Sequence, residues 1–354
     1  MLGDFQPPEW QLSARVNNAR AGKAPIFVVG SARSGNTLLY HTLLSAGGFA
    51  IYRAEPAVFD LLAIKFGDLS RLKNREKLMR WWLHSYMCAA SGLKQNHIKD
   101  KILSECKNTG HFLEILMGEI AQSQGVDRWA VWGPDNLLYM PWIKEELPDA
   151  LFIHMIRDGR DVAVSMNKEG WIRPFPWDRK RSLLVAALHW RWKVTHGRQL
   201  GQLMLPDYLE VRFEDLVARN RETLLRIGNF IGHELDCDRI NNIAIGTLSD
   251  PNSSFRTGHE AKYSPVGRWR QLLSSDDIAR MEPLISSLLE QLGYPLAVPN
   301  PAPTSMGVRT MQLLYPRFFT AKHWLKLHTP LGRFAGTDRL RLEQKSLQLQ
   351  PPAW

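Results

Sequence analysis

A short run of small residues from Gly30 to Gly35 follows an apolar segment and has the spacing of a phosphate-binding loop. Asn36 and Thr37 then stand where a nucleotide kinase carries Lys followed by Ser or Thr. Glycines let backbone N–H groups point at an anion, and a helix that begins at Thr37 adds the positive end of its dipole. We therefore predict an anion-binding loop at this place.

The loop lacks the lysine with which nucleoside triphosphatases reach the outer phosphates of their substrate. Arg33 is the cation that the loop offers instead. A guanidinium binds an oxyanion through a fixed pair of hydrogen bonds and suits a group with less charge than a triphosphate. A kinase or nucleotide hydrolase is an alternative. Asn36 in place of lysine and the lack of an evident Asp to hold magnesium argue against it.

A second motif, residues 157–165, comes directly after the apolar run 151–156. Arg157 ends this predicted strand, Asp161 is predicted to cap the following helix, and Ser165 falls in the first turns of that helix. Arg157 and Ser165 are therefore placed so that they could meet on one anion. A surface turn with salt bridges is the alternative.

Together, the two motifs resemble those of the sulfotransferases that use 3′-phosphoadenosine-5′-phosphosulfate (PAPS). Residues 31–37, SARSGNT, are similar to the 5′-phosphosulfate loop of that family, although its usual form has Pro at position 32 and Thr at position 36. The resemblance covers about residues 25–295. It implies sulfuryl transfer from PAPS, without a metal, to a hydroxyl or amine of an acceptor. It also implies donor contacts from Arg33, Ser34, Gly35, Asn36 and Thr37, with the 3′-phosphate held by Arg157 and Ser165.

Two later stretches extend this resemblance. Phe213 begins Phe-Glu-Asp-Leu where the family commonly has Tyr-Glu-Asp-Leu, which implies that its ring stacks on adenine. Residues 251–269 are similar to the loop that closes over the nucleotide and ends in Gly, a polar residue and Trp. From this loop the resemblance implies donor contacts by Ser254, Arg256, Lys262, Gly267 and Arg268.

Glu55 is the predicted base that takes the proton of the acceptor. It follows the predicted strand 49–52, and the carboxyl ends of neighbouring parallel strands face one crevice, so we expect Glu55 near the loop. It also resembles the Glu that tyrosylprotein-type sulfotransferases place after their second strand. A capping or salt-bridging role is the alternative for Glu55, and Asp135 is the second candidate base. Many relatives carry a Lys that assists the leaving group where this chain has Trp132. A nucleotide-binding protein without turnover is therefore a further alternative.

Apolar runs predict the elements that position these residues. Strands are expected at 26–29, 49–52, 129–132, 151–156 and 208–213, and helical patterns at 60–125, 183–203, 221–231 and 276–293. This alternation predicts an α/β fold with a single parallel sheet flanked by helices, like that of P-loop nucleotide-binding proteins. His41 and His154 fall in apolar patterns and are predicted to be structural.

Composition and charge complete the prediction. The chain of 354 residues has a net charge of +10, and residues 301–354 contribute eight Lys or Arg against two acids. We divide it into a lead-in at 1–24, a sulfotransferase domain at 25–295 and a basic extension at 296–354. Three irregularly spaced cysteines indicate a reducing compartment, and the absence of a signal-peptide pattern or a long apolar run predicts a cytoplasmic protein.

The acceptor and the basic extension are less defined by the sequence. A small molecule, a lipid or a glycan is the expected acceptor class, and no nucleic-acid partner is expected. Trp171, Phe175 and Trp177 either wall the acceptor pocket or pin their own loop. The extension is a candidate for docking on the core, for peripheral contact with an anionic membrane or for enlarging the acceptor site, of which we favour docking.

Overall fold

Four parallel strands form the sheet in the part of the chain that the structure describes. This structure is a computed structural model and describes residues 22–169, 175, 178, 182–243, 265–297 and 305–334. The strands are β1 (Ile26–Gly30), β2 (Ala130–Trp132), β3 (Leu151–Ile156) and β4 (Tyr208–Arg212), in the spatial order β2-β1-β3-β4. All pairs are parallel, so the four carboxyl ends meet at one edge of the sheet. The predicted α/β architecture with one parallel sheet is confirmed.

The prediction of a strand at 49–52 is wrong. Phe49 forms only an isolated parallel bridge with Arg128. The side chain of Gln124 then accepts a hydrogen bond from the Ile51 N–H at 2.7 Å and donates one to the Ile51 carbonyl at 2.9 Å. Because a side chain satisfies the backbone groups that a neighbouring strand would use, the strand pairing ends there.

Helices cover both faces of the sheet. Before β2 they are α1 (Asn36–Ala46), α2 (Ala63–Phe66), α3 (Leu72–Trp82), α4 (Tyr86–Ser91), α5 (Gln95–Glu105) and α6 (Thr109–Ser123). Between β2 and β4 they are α7 (Met140–Glu146), α8 (Gly159–Glu169) and α9 (Ser182–Gln202). After β4 they are α10 (Phe213–Ala218), α11 (Asn220–Ile231), α12 (Cys237–Ile243), α13 (Trp269–Leu272), α14 (Ser275–Gln291) and α15 (Met306–His328).

Short turns of other helical types complete the framework. A π-helical turn spans Val58–Leu62, and 3₁₀ turns span Pro134–Leu138 and Pro330–Phe334. Helices α9, α11 and α14 begin and end within two residues of their predicted bounds. Helix α11 ends at Gly232, whose φ of 61° is the left-handed conformation expected after a helix.

The side chains of β1 alternate between two hydrophobic clusters. Phe27 and Val29 pack into the cluster that contains α3, α5 and α6, whereas Ile26 and Val28 pack into the one that contains α1 and α11. Every residue of β1 is buried, as expected for a central strand with helices on both faces. The loop that follows β1 therefore starts from a rigid part of the molecule.

A third cluster lies among α8, α9, α14 and α15. Tyr315 and Phe319 are its buried residues from α15. The described part of the C-terminal extension thus docks on the core, as we favoured. No helix in the described ranges is long and apolar enough to cross a lipid bilayer.

Candidate functional site

The loop after β1 is held in an uncommon backbone conformation. Arg33 has a φ of 68°, which places a non-glycine residue in the left-handed region at a cost of about 1–2 kcal/mol. Gly35 follows with a φ of 97° and caps the start of α1. A Cβ atom on Gly30 would lie 2.5 Å from the Met155 carbonyl oxygen, so this position accepts only glycine. Strain of this kind is commonly found at ligand sites.

Polar atoms inside the loop fit an oxyanion. The Ser31 and Ser34 hydroxyls are buried and have no hydrogen-bond partner among the described residues. The side-chain amide of Asn36 donates to the Ser31 carbonyl at 2.9 Å and so braces the neck of the loop from within. Leaving a buried hydroxyl without a partner costs about 1–3 kcal/mol, and an anion in the loop would accept from both groups.

The two motifs predicted to bind anions are in direct contact. The Arg33 Nε donates to the Ser165 Oγ at 2.8 Å, and the Arg157 Nη1 donates to the Arg33 carbonyl at 3.1 Å. These contacts join the loop after β1 to the residues after β3, the neighbouring strand. The structure therefore brings Arg33, Arg157 and Ser165 together at the carboxyl edge of the sheet.

Arg157 is almost fully buried among groups that fix its direction. Its Nη2 donates to the Pro265 carbonyl and lies 3.8 Å from an oxygen of Asp161. The guanidinium carbon lies 4.4 Å from the ring centroid of Phe213, a distance at which a cation is attracted to a π face. Arg157 thus links the residues after β3 to three segments that are distant in the sequence, at Arg33, Phe213 and Pro265.

The predicted helix cap at Asp161 is wrong. Helix α8 begins at Gly159, and the Asp158 carboxylate accepts from the Arg160 N–H at 2.9 Å. The Asp161 carboxylate instead accepts from the N–H groups of Gly267 at 2.8 Å and Trp269 at 2.9 Å. Burial raises the pKa of Asp161 above its ordinary value, although Arg157 acts in the opposite direction.

This anchoring places the described end of the late loop beside the site. Gly267 has a φ of 71°, and Arg268 stands directly before α13. Gly267 and Arg268 follow Pro265, whose carbonyl contacts Arg157, by two and three residues. The predicted contacts Ser254, Arg256 and Lys262, like Trp171 and Trp177, lie outside the described residues.

Phe213 lies under the loop. It is 1% exposed, and a Cβ atom on Gly35 would come within 2.4 Å of its ring. The next residue, Glu214, accepts from the Asp158 N–H at 3.0 Å and from the Tyr294 hydroxyl at 2.8 Å. Burial raises the pKa of the Glu214 carboxyl. Phe213 and Glu214 thus support the loop and the start of α8 from below.

Glu55 lies at the carboxyl end of β2. Its Oε1 is 3.1 Å from the place where a Cβ atom on Gly133 would stand. Gly133 in turn donates its N–H to the Val28 carbonyl at 3.2 Å. Since β1 and β2 are neighbours, Glu55 occupies the same edge of the sheet as the loop, next to the strand that carries it.

Asp135 forms an ion pair that the sequence analysis missed. Its carboxylate contacts the Nζ of Lys193 on α9, which also donates to the Pro134 carbonyl at 3.0 Å. The Lys193 side chain is only 3% exposed, whereas that of Asp135 is 43% exposed. The sequence contained one signal that Lys193 would be buried. It stands three residues after Trp190 and four before Gly197, so all three lie on the same side of α9, and Trp190 and Gly197 are buried.

Histidines near this ion pair are uncharged at neutral pH. Burial lowers the pKa of His189 to about 3 and that of His323 to about 4. His154 lies in β3, where burial lowers its pKa to about 3 and its Nδ1 is 2.6 Å from the Tyr208 hydroxyl. The prediction of a structural role for His154 is confirmed.

Phe175 packs against the C-terminal helix. Its ring centroid lies 4.5 Å from that of Phe318 and 6.0 Å from that of Tyr315.

In the ranges that the structure describes, no group of three or more His, Cys, Asp or Glu side chains is arranged to hold a metal ion.

The chain is similar to a known protein family and to several solved structures. The sequence profile of the sulfotransferase family matches residues 25–237. Among solved structures, the sulfotransferase domain of the Synechococcus PCC 7002 olefin synthase shares 20% identity over 78% of this chain and 96% of its own, with a TM-score of 0.49.

Two further solved structures show similar values. The sulfotransferase domain from the curacin biosynthetic pathway shares 18% identity over 77% of this chain and 98% of its own, with a TM-score of 0.47. Mouse sulfotransferase SULT7A1, solved in complex with PAP, shares 15% identity over 78% of this chain and 90% of its own, with a TM-score of 0.41. Because the family profile matches more than half of the chain, this protein belongs to the sulfotransferase family.

Proposed function

We propose that this protein transfers a sulfuryl group from PAPS to a hydroxyl or amine of an acceptor. The observation that carries the proposal is the contact of Arg33 with both Ser165 and Arg157, which joins two anion-binding motifs at one edge of the sheet. PAPS has an anionic group at each end of an adenosine. A site with two linked cationic positions matches that distribution of charge.

The chain's own groups divide this task. The backbone N–H groups of the loop, the Ser34 hydroxyl and the Thr37 hydroxyl would hold the 5′-phosphosulfate, with Arg33 beside them. Arg157 and Ser165 would hold the 3′-phosphate, while Gly267 and Arg268 border the same site through the contact of Pro265 with Arg157. Asn36 supports the loop through its bond to Ser31 and adds its backbone N–H.

The reaction is an in-line displacement at sulfur. The acceptor oxygen or nitrogen forms a bond to sulfur while the bond between sulfur and the bridging oxygen of the nucleotide breaks, and negative charge develops on that oxygen. Arg33 and the loop N–H groups would stabilise this charge. The acceptor proton passes to a base at the same edge of the sheet.

Glu55 is the proposed base. It occupies the edge of the sheet beside the loop, and it follows the segment that Gln124 fixes through its two bonds to Ile51. Asp135 is less suited, because its carboxylate is engaged in an ion pair with the buried ammonium of Lys193. Lys193 also provides positive charge at the turn that follows Trp132, where many relatives have their lysine.

We also propose a cytoplasmic location, for which the three buried free thiols are a supporting observation. A kinase is disfavoured by Asn36, whose side chain is engaged inside the loop and carries no charge. Nucleotide binding without turnover is the remaining alternative, favoured by Trp132 in place of lysine.

A transfer assay tests the proposed function. Sulfur-labelled PAPS is incubated with wild-type protein and with Glu55→Gln in the presence of phenols and alcohols, lipids or glycans, and label is measured on the acceptor. We expect transfer by the wild type to one class and its loss in the variant. Label that stays on the nucleotide with all three classes, although the product PAP binds, would favour binding without turnover.

A further inference from the structure

The C-terminal segment, residues 305–334, is fixed to the core by one side of α15. Tyr315 and Phe319 are one helical turn apart and buried in the third hydrophobic cluster. Polar bonds strengthen this attachment, because the Trp192 Nε1 donates to the Thr320 Oγ1 at 3.0 Å and the Tyr315 hydroxyl bonds to Asp178. The helix therefore has a defined rotation on the protein surface.

The opposite side of the same segment exposes large apolar residues. Trp324 is 54% exposed and Met306 is 81% exposed. The C-terminal segment contains eight of the fourteen large apolar side chains that are exposed among the described residues, namely Met306, Leu313, Leu314, Trp324, Leu325, Leu327, Leu331 and Phe334. This concentration in thirty residues distinguishes the segment from the rest of the described surface.

Helical spacing arranges part of this set as a ridge. Met306, Leu313, Arg317 and Trp324 follow one another at intervals of seven, four and seven residues, which returns each to the same side of a helix. That side is opposite to the one with Tyr315 and Phe319. Met306, Leu313 and Trp324 therefore form one ridge about 27 Å long on the outer side of α15.

The charge of the segment has one sign. Residues 305–334 contain five Lys or Arg and neither Asp nor Glu. Arg309, Arg317, Lys322 and Arg333 are exposed. By helical spacing, Arg317 lies within the ridge between Leu313 and Trp324, and Arg309 lies beside it. An exposed surface with aromatic and aliphatic residues in one plane and cations around them is typical of helices that lie in the headgroup region of a bilayer.

We propose that the C-terminal segment binds the surface of an anionic phospholipid bilayer, with α15 parallel to the membrane plane. The apolar ridge would enter the boundary between headgroups and acyl chains, and the cations would contact lipid phosphates. A nucleic acid would use the cations and leave the apolar ridge in water. The proposal does not rest on sulfuryl transfer, because membrane binding requires neither donor nor acceptor.

Vesicle flotation of the full chain tests this proposal. The vesicles consist of phosphatidylcholine alone or of phosphatidylcholine and phosphatidylglycerol in equal parts. We expect the wild type to float with the mixed vesicles and to remain unbound with phosphatidylcholine alone. Binding to both kinds of vesicle alike would contradict the charge argument, and binding to neither would overturn the proposal.

Two pairs of variants separate the ridge from general surface properties. The double variant L313S/W324S should reduce partition at least tenfold, whereas L225S removes a 65% exposed leucine from α11 and should change nothing. R309Q/R317Q should reduce partition about tenfold or more, whereas R221Q removes a 74% exposed cation elsewhere and should not.

Two controls accompany these variants. One detects altered folding, and the other detects a protein partner in place of a membrane. Circular dichroism melting should give the same midpoint for all variants, because the substituted side chains are exposed. If L313S/W324S binds mixed vesicles as well as L225S does, α15 is not the membrane-binding surface of the protein and the proposal is overturned. If the wild type forms a dimer and binds no vesicles, and L313S/W324S is monomeric, the ridge contacts a second copy of the chain and the proposal is overturned.

Discussion

Arg33 and Ser165 are 132 residues apart in the chain, and the Arg33 Nε donates to the Ser165 Oγ at 2.8 Å. The left-handed conformation of Arg33 directs the side chain toward α8 while its carbonyl accepts from Arg157 at 3.1 Å. A single strained residue therefore connects the loop after β1 with the residues after β3. A nucleotide that carries an anion at each end would meet both parts of this connection.

The Ser165 hydroxyl should be specific for the 3′-phosphate. Ser165→Ala removes one hydrogen bond to a charged group, worth about 1.5–3 kcal/mol, so the affinity for PAP should fall about ten- to a hundredfold. Calorimetric titration measures this change. Adenosine 5′-phosphosulfate lacks the 3′-phosphate and should bind wild type and variant with equal affinity. If the variant lost affinity for both ligands by the same factor, Ser165 would act at a place other than the 3′-phosphate.

The carboxylate of Glu55 should be required for transfer and dispensable for donor binding. Glu55→Gln keeps the size of the side chain and removes its basicity, so kcat should fall about a hundred- to ten-thousandfold while PAP affinity is retained. Asp135→Asn is the matched comparison and should cost less than about tenfold, because that carboxylate is engaged with Lys193 of α9 rather than directed at the acceptor. A larger loss in Asp135→Asn would make Asp135 the base.

Two glycines of similar backbone conformation should differ in their tolerance of alanine. Gly35 has a φ of 97° and its added Cβ would meet the Phe213 ring at 2.4 Å, whereas Gly92 has a φ of 66° and nothing within 4 Å. Gly35→Ala should lower the free energy of unfolding by about 2–5 kcal/mol and Gly92→Ala by about 1–2 kcal/mol. Urea denaturation measures both, and equal losses would contradict the close contact of the loop with Phe213.

Buried His154 should make the protein less stable as the pH falls. Its pKa is lowered to about 3 in the folded chain from 6.5, so below 6.5 the unfolded chain binds a proton that the folded chain does not. The free energy of unfolding is therefore highest above pH 6.5, the pKa of His154 in the unfolded chain. It decreases as the pH falls toward about 3, the pKa in the folded chain, and this group contributes at most about 1.4 kcal/mol per pH unit.

The variant His154→Gln isolates this contribution. Gln retains a group that can bond to the Tyr208 hydroxyl and does not titrate. Denaturation of wild type and variant between about pH 7 and pH 5 should show a slope that is smaller in the variant by up to one proton. Parallel slopes would mean that His154 is protonated in the folded chain.

Features that depend on neighbouring residues could be predicted from the sequence. The apolar runs of β1 and β3, the glycines of the loop and the end of α11 at Gly232 follow from local patterns and local backbone requirements. Glu55 was expected near the loop because parallel strands end at one edge of a sheet, and its Oε1 lies at that edge beside Gly133.

Features that depend on distant partners could not be predicted. The strand expected at 49–52 is replaced by bonds between Ile51 and a glutamine side chain 73 residues away. Asp161 is bonded to the backbone of Gly267 and Trp269 rather than to its own helix end, and Lys193 pairs with Asp135 across 58 residues. A local pattern carries no information about which of several nearby donors or acceptors lies closest in the fold.

Titration calorimetry with PAP in the presence of a metal chelator tests the central proposal most directly. Wild-type protein and Arg157→Lys are each titrated with PAP, adenosine monophosphate and ATP; lysine keeps the charge and loses the paired geometry of the guanidinium. We predict that the wild type binds PAP without metal and more tightly than the other two nucleotides, and that the variant loses this preference. Binding of ATP only when magnesium is supplied, with no binding of PAP, would contradict the proposed function.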